Sequence, residues 1–186
     1  KGTTVTVKKA LDEMIIHSDN TATNLMIDRL GMDRVNRYLK EHGYKDTTLR
    51  RKMMDFDAAK KGAENMTTVR DVGLLFKRLY QGKCVSKDLD AQMLAIYKAQ
   101  VDTDMLPDKL PKGTVVAHKT GEVRDLRHDG GISALHARHH LPNLRILFRL
   151  GGYSWLSIDQ WLRCWRRLRH ERGERTHPHS HCTNPE

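Results

Sequence analysis

Apolar residues recur with a helical period over the first hundred positions of this chain and change to a strand-like run after that. In "VTVKKALDEMIIHS", Val7, Ala10, Leu11, Met14 and Ile15 fall at i, i+3, i+4, i+7 and i+8, which is one apolar face of a helix. Ser18-Asp19-Asn20 breaks that face, because short polar side chains compete for backbone hydrogen bonds. The pattern then predicts a second helix over residues 21–30, stopped by Gly31, and a third over residues 32–42, with Met32, Val35 and Leu39 inward and Gly43 at its end.

Residues 44–65, "YKDTTLRRKMMDFDAAKKGAEN", have weaker periodicity and read as a long surface loop with a helical turn. Thr67 is expected to N-cap a helix bearing Val69, Val72, Phe76, Leu79 and Tyr80, and Ser86 to cap one bearing Leu89, Met93 and Ile96. "LPDKLPKG" is turn chemistry. "TVVAHKTG" is β-branched and bounded by glycines, so it reads as a buried strand, and "HDGGI" should open its neighbour. A run of helices followed by strands is the pattern of an α+β or layered α/β domain.

The length of 186 residues suits one domain with a real core. A formal charge of +10 raises nucleic acid or an anionic membrane surface as partners, but the charge is unevenly made. Lysines and acids intermingle through residue 132, and Lys119 is the last lysine. Beyond Ser133 the basic residues are arginine and histidine, and seven of the eleven histidines and all three tryptophans lie there. The chain therefore divides into residues 1–132 and a basic segment, 133–186. In that segment Ile158, Trp161, Leu162, Trp165 and Leu168 form an apolar helical stripe with Arg163, Arg166, Arg167 and Arg169 opposite. The loss of lysine together with the rise in Arg, His and Trp suits an out-of-frame stretch of GC-rich coding sequence. The alternative is a divergent tail whose helix covers the sheet. Cys84, Cys164 and Cys182 are too few and too scattered for a disulfide framework.

Chemistry enters with two tripeptides, Ser18-Asp19-Asn20 between helices and Lys119-Thr120-Gly121 at the end of a strand. Either alone would mark a turn or a strand end. Together, in this order and about a hundred residues apart, they are two of the three signatures of acyl-serine enzymes, the third being Ser-x-x-Lys. "MIIHSDNTATNLMIDRLG", "LRRKMMDFDAAKKGAENMTTVRDVG" and "AHKTGEVRDLRHDGGI" closely resemble the SDN segment, the omega loop with its following helix, and the KTG hairpin of class A β-lactamase-like serine hydrolases. The resemblance covers residues 1 to about 132 and implies a partial β-lactamase/transpeptidase-like fold, with a helical part and the KTG strand of an antiparallel sheet.

The resemblance also implies roles. Ser18 would relay a proton to the leaving nitrogen, and Asn20 would hydrogen-bond the substrate's amide. Lys119 would steady Ser18 and draw in a substrate carboxylate, to which Thr120 would donate its hydroxyl. Gly121 would let substrate lie close against the strand edge, and the backbone N–H of Glu122 would be one oxyanion-hole donor. It implies no cofactor and no metal, a β-lactam or cell-wall peptide as substrate, and a place outside the cytoplasm.

Two departures accompany it. No Ser-x-x-Lys occurs in the 186 residues; in the family that segment precedes the SDN segment by several tens of residues, and "KGTTVTVKKALDE" reads as if cut from something longer, without the apolar core of a signal peptide. The deacylating glutamate of the omega loop would fall near residues 53–57, where the sequence offers Asp55 and Asp57, each one methylene shorter. Asp55 could replace the glutamate, or both could be solvated loop carboxylates.

Rival readings rest on residues 133–186. "RCWRRLRHERGER" could contact phosphate and stack bases on Trp161 and Trp165, or lie on an anionic membrane. His177, His179, His181 and Cys182 lack the second ligand pair at defined spacing that a zinc site shows. Neither rival accounts for residues 1–132.

Overall fold

The computed structural model of the chain describes residues 2, 4–123, 126–136, 142–150 and 156–157. Six helices come first: α1 (Val7–Ile16), α2 (Asn20–Leu30), α3 (Met32–Glu41), α4 (Phe56–Lys60), α5 (Val69–Tyr80) and α6 (Lys87–Lys98). A 3-10 turn (Pro107–Lys109) leads into β1 (Val116–Val123), β2 (Leu126–His136), β3 (Pro142–Leu150) and β4 (Leu156–Ser157). These strands form one antiparallel sheet in sequence order, with Lys119 opposite Gly130 and Ile132 opposite Ile146. The layered arrangement of helices and antiparallel sheet agrees with the fold class read from the sequence.

Four helix starts share a local cause. Thr6, Asp19, Thr68 and Ser86 are in extended backbone, and each accepts from the N–H three residues on, which satisfies a donor that the first helical turn leaves open. The cap of α5 is thus Thr68 and not Thr67. Thr67 instead shares a hydroxyl contact of 2.9 Å with Thr47, because Thr68 is the residue placed to reach Asp71 N–H. The stripe over Ile158–Leu168 and the terminal histidines lie outside the described residues. β2 runs through Ser133 to His136 and β3 pairs with it, so the described sheet crosses the composition boundary at 132/133.

The core joins the layers. Phe76 and Leu79 of α5 pack with Ala117 of β1 and Ile132 of β2, and Val72, Met93, Leu94 and Tyr97 close around them. Alternation along β1 puts Ala117 and Lys119 on one face and His118 on the other. Buried carboxylates fix the connections. Asp71 accepts from Asp46 N–H and the Thr47 hydroxyl, both at 2.9 Å, and so holds the loop after α3 against α5. Asp90, fully buried, accepts from Cys84 N–H at 2.7 Å and Val85 N–H at 2.9 Å, which folds α6 back on α5. Asp90→Ala leaves two amides without their acceptor and should cost about 2–3 kcal/mol, whereas Asp90→Asn, which keeps one acceptor, should cost about half of that. Calorimetric unfolding of the two variants measures the difference, and equal costs would contradict this role.

Candidate active site

The polar break between α1 and α2 is a tight corner. α1 ends as His17 N–H and Asp19 N–H both reach Glu13 O, at 3.2 and 3.1 Å. Asp19 then caps α2 through Ala22 N–H at 2.5 Å, and the Thr23 hydroxyl donates to Asp19 O at 2.8 Å. Ser18, between the two helix ends, is left in the left-handed region at φ 55°. A serine there is uncommon, and backbone held in such a conformation collects at functional sites. The corner is braced from the end of α6: Gln100 Nε2 donates to Ile15 O at 2.8 Å and Val101 N–H to Ile16 O at 3.3 Å, which uses carbonyls that the end of α1 leaves free.

Lys119 of β1 meets this corner across 101 residues of sequence. Its Nζ donates to Ser18 Oγ and, at 2.8 Å, to Thr120 O. Burial holds the Lys119 ammonium below the usual lysine range, and the negative charges of Asp102 and Asp129 oppose that shift. A partly desolvated ammonium fixed beside an exposed hydroxyl is a ready anion seat. The sign of its pH dependence follows: the charged form holds the anion, so affinity for a carboxylate ligand should fall as pH rises through the lowered pKa. Titration calorimetry of a carboxylate-bearing β-lactam between about pH 7 and 10 should show the loss beginning below the ordinary lysine pKa, and constant affinity over that interval would contradict it.

The strand under Lys119 is fixed from its other face. His118 and Asp129 are both buried, with His118 Nδ1 3.0 Å from each Asp129 oxygen, and Asp129 also accepts from Leu106 N–H at 3.0 Å. Arg127 makes ion pairs with Asp104 at 2.9 Å and Glu122 at 3.2 Å. Residues 104–106 are thereby stapled to β2 beside the motif strand. Gly121 has a reason of its own to be glycine: a Cβ there would collide with the His128 ring at Nε2.

The loop between α3 and α5 closes on itself and then on α2. Thr48 and Met66 pair as an isolated bridge, Asn65 Oδ1 accepts from Arg50 and Arg51 N–H at 2.7 and 3.0 Å, and Arg51 makes an ion pair with Glu64 at 2.9 Å. Asn24 then takes both polar atoms of one loop residue: Met53 N–H donates to Asn24 Oδ1 at 2.8 Å, and Asn24 Nδ2 donates to Met53 O at 3.1 Å. Asn24 lies one turn beyond Asn20, on the same face of α2. Met54 follows at φ 64°, so among the described residues the two non-glycine positions with positive φ are Ser18 and Met54. Asn24→Ala removes two hydrogen bonds of about 1 kcal/mol each. Tryptic cleavage at Arg50, Arg51 and Lys52 should then be roughly tenfold faster by the greater population of the open loop; an unchanged rate would show that the loop is held elsewhere.

The sequence-predicted residues therefore separate into two groups. Ser18 and Lys119 are in contact, Asn20 opens α2 directly after the corner, and Thr120, Gly121 and Glu122 follow Lys119 along β1. Asp55 and Asp57 do not join them. Asp55 is exposed and caps α4, accepting from Ala58 N–H at 3.0 Å, and Asp57 pairs with Lys60 at 3.6 Å on the surface. The loop residue brought to α2 is Met53. Asn24, His118 and Asp129 were not singled out by the sequence, and Met53 entered only as one end of the 53–57 window in which the resemblance places the omega-loop carboxylate.

The profile of the β-lactamase enzyme family matches residues 1–141. The chain belongs to the β-lactamase enzyme family. It is 29% identical over 123 residues to the extended-spectrum β-lactamase PER-1 of Pseudomonas aeruginosa, covering 63% of this chain and 39% of that protein. The solved β-lactamase of Sphaerobacter thermophilus superposes with a TM-score of 0.70 at 28% identity, over 84% of this chain and 58% of that one. PBP-A superposes with a TM-score of 0.67 at 30% identity, over 80% and 52%, and a single-residue mutant of PBP-A is known as an acyl-enzyme complex with penicillin G. The chain thus spans about half the length of these solved relatives. Among the described residues of this β-lactamase-family chain, no helix is long and apolar enough to cross a membrane.

Proposed function

We propose that this chain supplies the proton-relay and anion-holding part of a serine hydrolase that opens β-lactams through an acyl-serine intermediate. The observation that carries the reading is the Lys119 Nζ to Ser18 Oγ hydrogen bond, which joins the two motifs. In the reaction the Oγ of a Ser-x-x-Lys serine attacks the lactam carbonyl as its proton passes to the lysine of that motif, the C–N bond breaks, the departing nitrogen takes its proton from Ser18 Oγ, and that lysine returns the proton to Ser18. Lys119 supports Ser18 in that transfer and holds the substrate carboxylate, to which the Thr120 hydroxyl donates. Asn20 binds the acyl-side amide, and the Glu122 N–H is one donor to the oxyanion. Water then attacks the ester carbonyl, and the serine recovers its proton as the acid leaves. By family the enzyme would work outside the cytoplasm, on small molecules.

The nucleophile is assigned to Ser-x-x-Lys and not to Ser18, whose hydroxyl is engaged by Lys119. Intact-mass spectrometry of the 186-residue chain with benzylpenicillin should therefore show no stoichiometric penicilloyl adduct. Such an adduct on a serine of this chain would overturn the assignment.

Met53 favours a second reading at the deacylation step. A thioether neither takes a proton from water nor orients it as a carboxylate does, and Asp55 is engaged at α4. The second reading is a D-Ala-D-Ala peptidase of the penicillin-binding kind, which acts on cell-wall peptide and keeps the penicilloyl group. Rate constants for the disappearance of the acyl-enzyme separate the two: seconds or less for a hydrolase, hours for the peptidase.

A further inference from the structure

Residues 100–106 strap the Ser18 corner to the motif strands. At the corner, Gln100 Nε2 donates to Ile15 O at 2.8 Å and Val101 N–H to Ile16 O at 3.3 Å. At the sheet, Asp104 takes Arg127 of β2 at 2.9 Å, and Leu106 N–H reaches the buried Asp129 at 3.0 Å. Asp102 stands midway between these anchors, half-buried, with its own N–H donated to Gln100 Oε1 at 3.1 Å. Lys119 crosses from β1 to the same corner, where its Nζ donates to Ser18 Oγ. The strap therefore carries the Asp102 carboxylate along the flank of the ammonium.

The other carboxylates around Lys119 are committed elsewhere. Asp129 of β2 is held behind the strand by His118 and Leu106 N–H. Glu122 and Asp104 both pair with Arg127. Asp19 caps α2 through Ala22 N–H, and Asp90 of α6 accepts from Cys84 and Val85 N–H. His128 of β2 shares the face of Lys119 and lies against Gly121. Asp102 makes no ion pair at contact distance among the described residues. Burial disfavours the Lys119 ammonium, and the charge of Asp102, ahead of that of Asp129, supports it.

Opening a β-lactam turns the lactam carbonyl into a carboxylate, so the substrate brings one negative charge to the site and the product two. A like charge fixed beside the seat costs the product more than the substrate. Repulsion of this kind is how a site discriminates between ligands that share their attractive contacts. We propose that Asp102 is the resident counter-charge of the Lys119 seat and a specificity-determining residue, repelling a second negative charge so that the site holds the singly charged lactam and lets go of the ring-opened product. The inference rests on the acyl-serine reading of the site. Lys119 attracts both ligands, and Asp102 sets the difference between them.

The test compares the full 186-residue chain with its Asp102→Asn and Asp102→Glu variants. A unit charge a few ångströms away in water-like surroundings changes an anion's affinity roughly threefold. Calorimetric titration at neutral pH and low salt should therefore give Asp102→Asn roughly threefold higher affinity for benzylpenicillin and roughly tenfold higher for benzylpenicilloate. Both gains should shrink as added salt screens the charge. Asp102→Glu keeps the charge and should stay near the parent chain. The carbon resonance of Lys119 Cε in isotopically labelled chain gives a readout that needs no ligand. Asp102→Asn removes a charge that favours the ammonium, so the Lys119 midpoint should move to lower pH. Equal gains for the two ligands, an affinity equal or undetectable in parent and variant, or an unmoved Lys119 midpoint would each overturn the proposal. Lys119→Ala separates its failure from that of the acyl-serine reading. Unchanged affinities in Lys119→Ala as well would remove the anion seat itself, whereas weakened binding in Lys119→Ala beside an unaltered Asp102→Asn would remove Asp102 alone.

Discussion

Lys119→Ala, made in the enzyme completed by its Ser-x-x-Lys segment, is expected to lower kcat/KM for benzylpenicillin by roughly 1000-fold, the loss that follows removal of one well-placed donor to developing charge. Three effects combine in it. The Ser18 hydroxyl loses its donor, so its proton is no longer directed at the leaving nitrogen. The substrate carboxylate loses its counter-charge. The partly buried site also loses an ammonium whose attraction is strengthened by the exclusion of water. Lys119→Arg keeps the charge but offers a planar fork in place of a compact ammonium, so it should recover substrate affinity more than acylation rate. Steady-state kinetics and stopped-flow acylation of the two variants give the split. A Lys119→Ala enzyme with an unchanged acylation rate would remove the lysine from the mechanism.

Met53→Glu is expected to shorten the lifetime of the penicilloyl-enzyme by roughly 100-fold or more, the usual contribution of a positioned general base. Asn24 holds Met53 by both its N–H and its carbonyl, at 2.8 and 3.1 Å, so the residue at this position is fixed against the helix that begins with Asn20. A carboxylate substituted there inherits the fixed backbone, whereas Asp55→Glu lengthens a side chain committed to the cap of α4. The pair of variants therefore makes a controlled comparison. Faster deacylation in Met53→Glu with none in Asp55→Glu supports the assignment of the position, and the reverse order would return the role to Asp55.

How much of this was legible in the sequence follows from which interactions are local. The period of Val7, Ala10, Leu11 and Met14 is enough to locate α1, and the corner at Ser18 is readable because Asp19 can cap a helix only three residues ahead. The contact of Lys119 with Ser18 is not local at all, and it was legible only as a pair of motifs whose chemistry needs both. No motif pairs Asn24 with Met53, which are 29 positions apart and joined through one residue's backbone, a contact that leaves no trace in side-chain pattern. The carboxylates of Asp55 and Asp57 drew attention by type, yet the first is engaged by the helix that starts immediately after it. The positive φ of Ser18 and Met54 has no signature in residue identity. His118 lies in a strand that the sequence pattern locates, but its pairing with Asp129 depends on register, which the sequence does not specify.

β3 lies beyond the change in composition. Leu144, Ile146, Phe148 and Leu150 alternate with Asn143, Arg145, Leu147 and Arg149, a strand-like period interrupted at Leu147.

The central claim is a division of labour: this chain brings the relay and the anion seat, and a serine of Ser-x-x-Lys is the nucleophile. Peptide-mapped mass spectrometry of the completed enzyme, quenched after reaction with benzylpenicillin, tests it most directly. The account predicts one penicilloyl group per molecule, on the serine of the Ser-x-x-Lys segment, with Ser18→Ala slowing its formation and leaving its location unchanged. A penicilloyl group on Ser18, or acylation at the normal rate without Ser18, would contradict it.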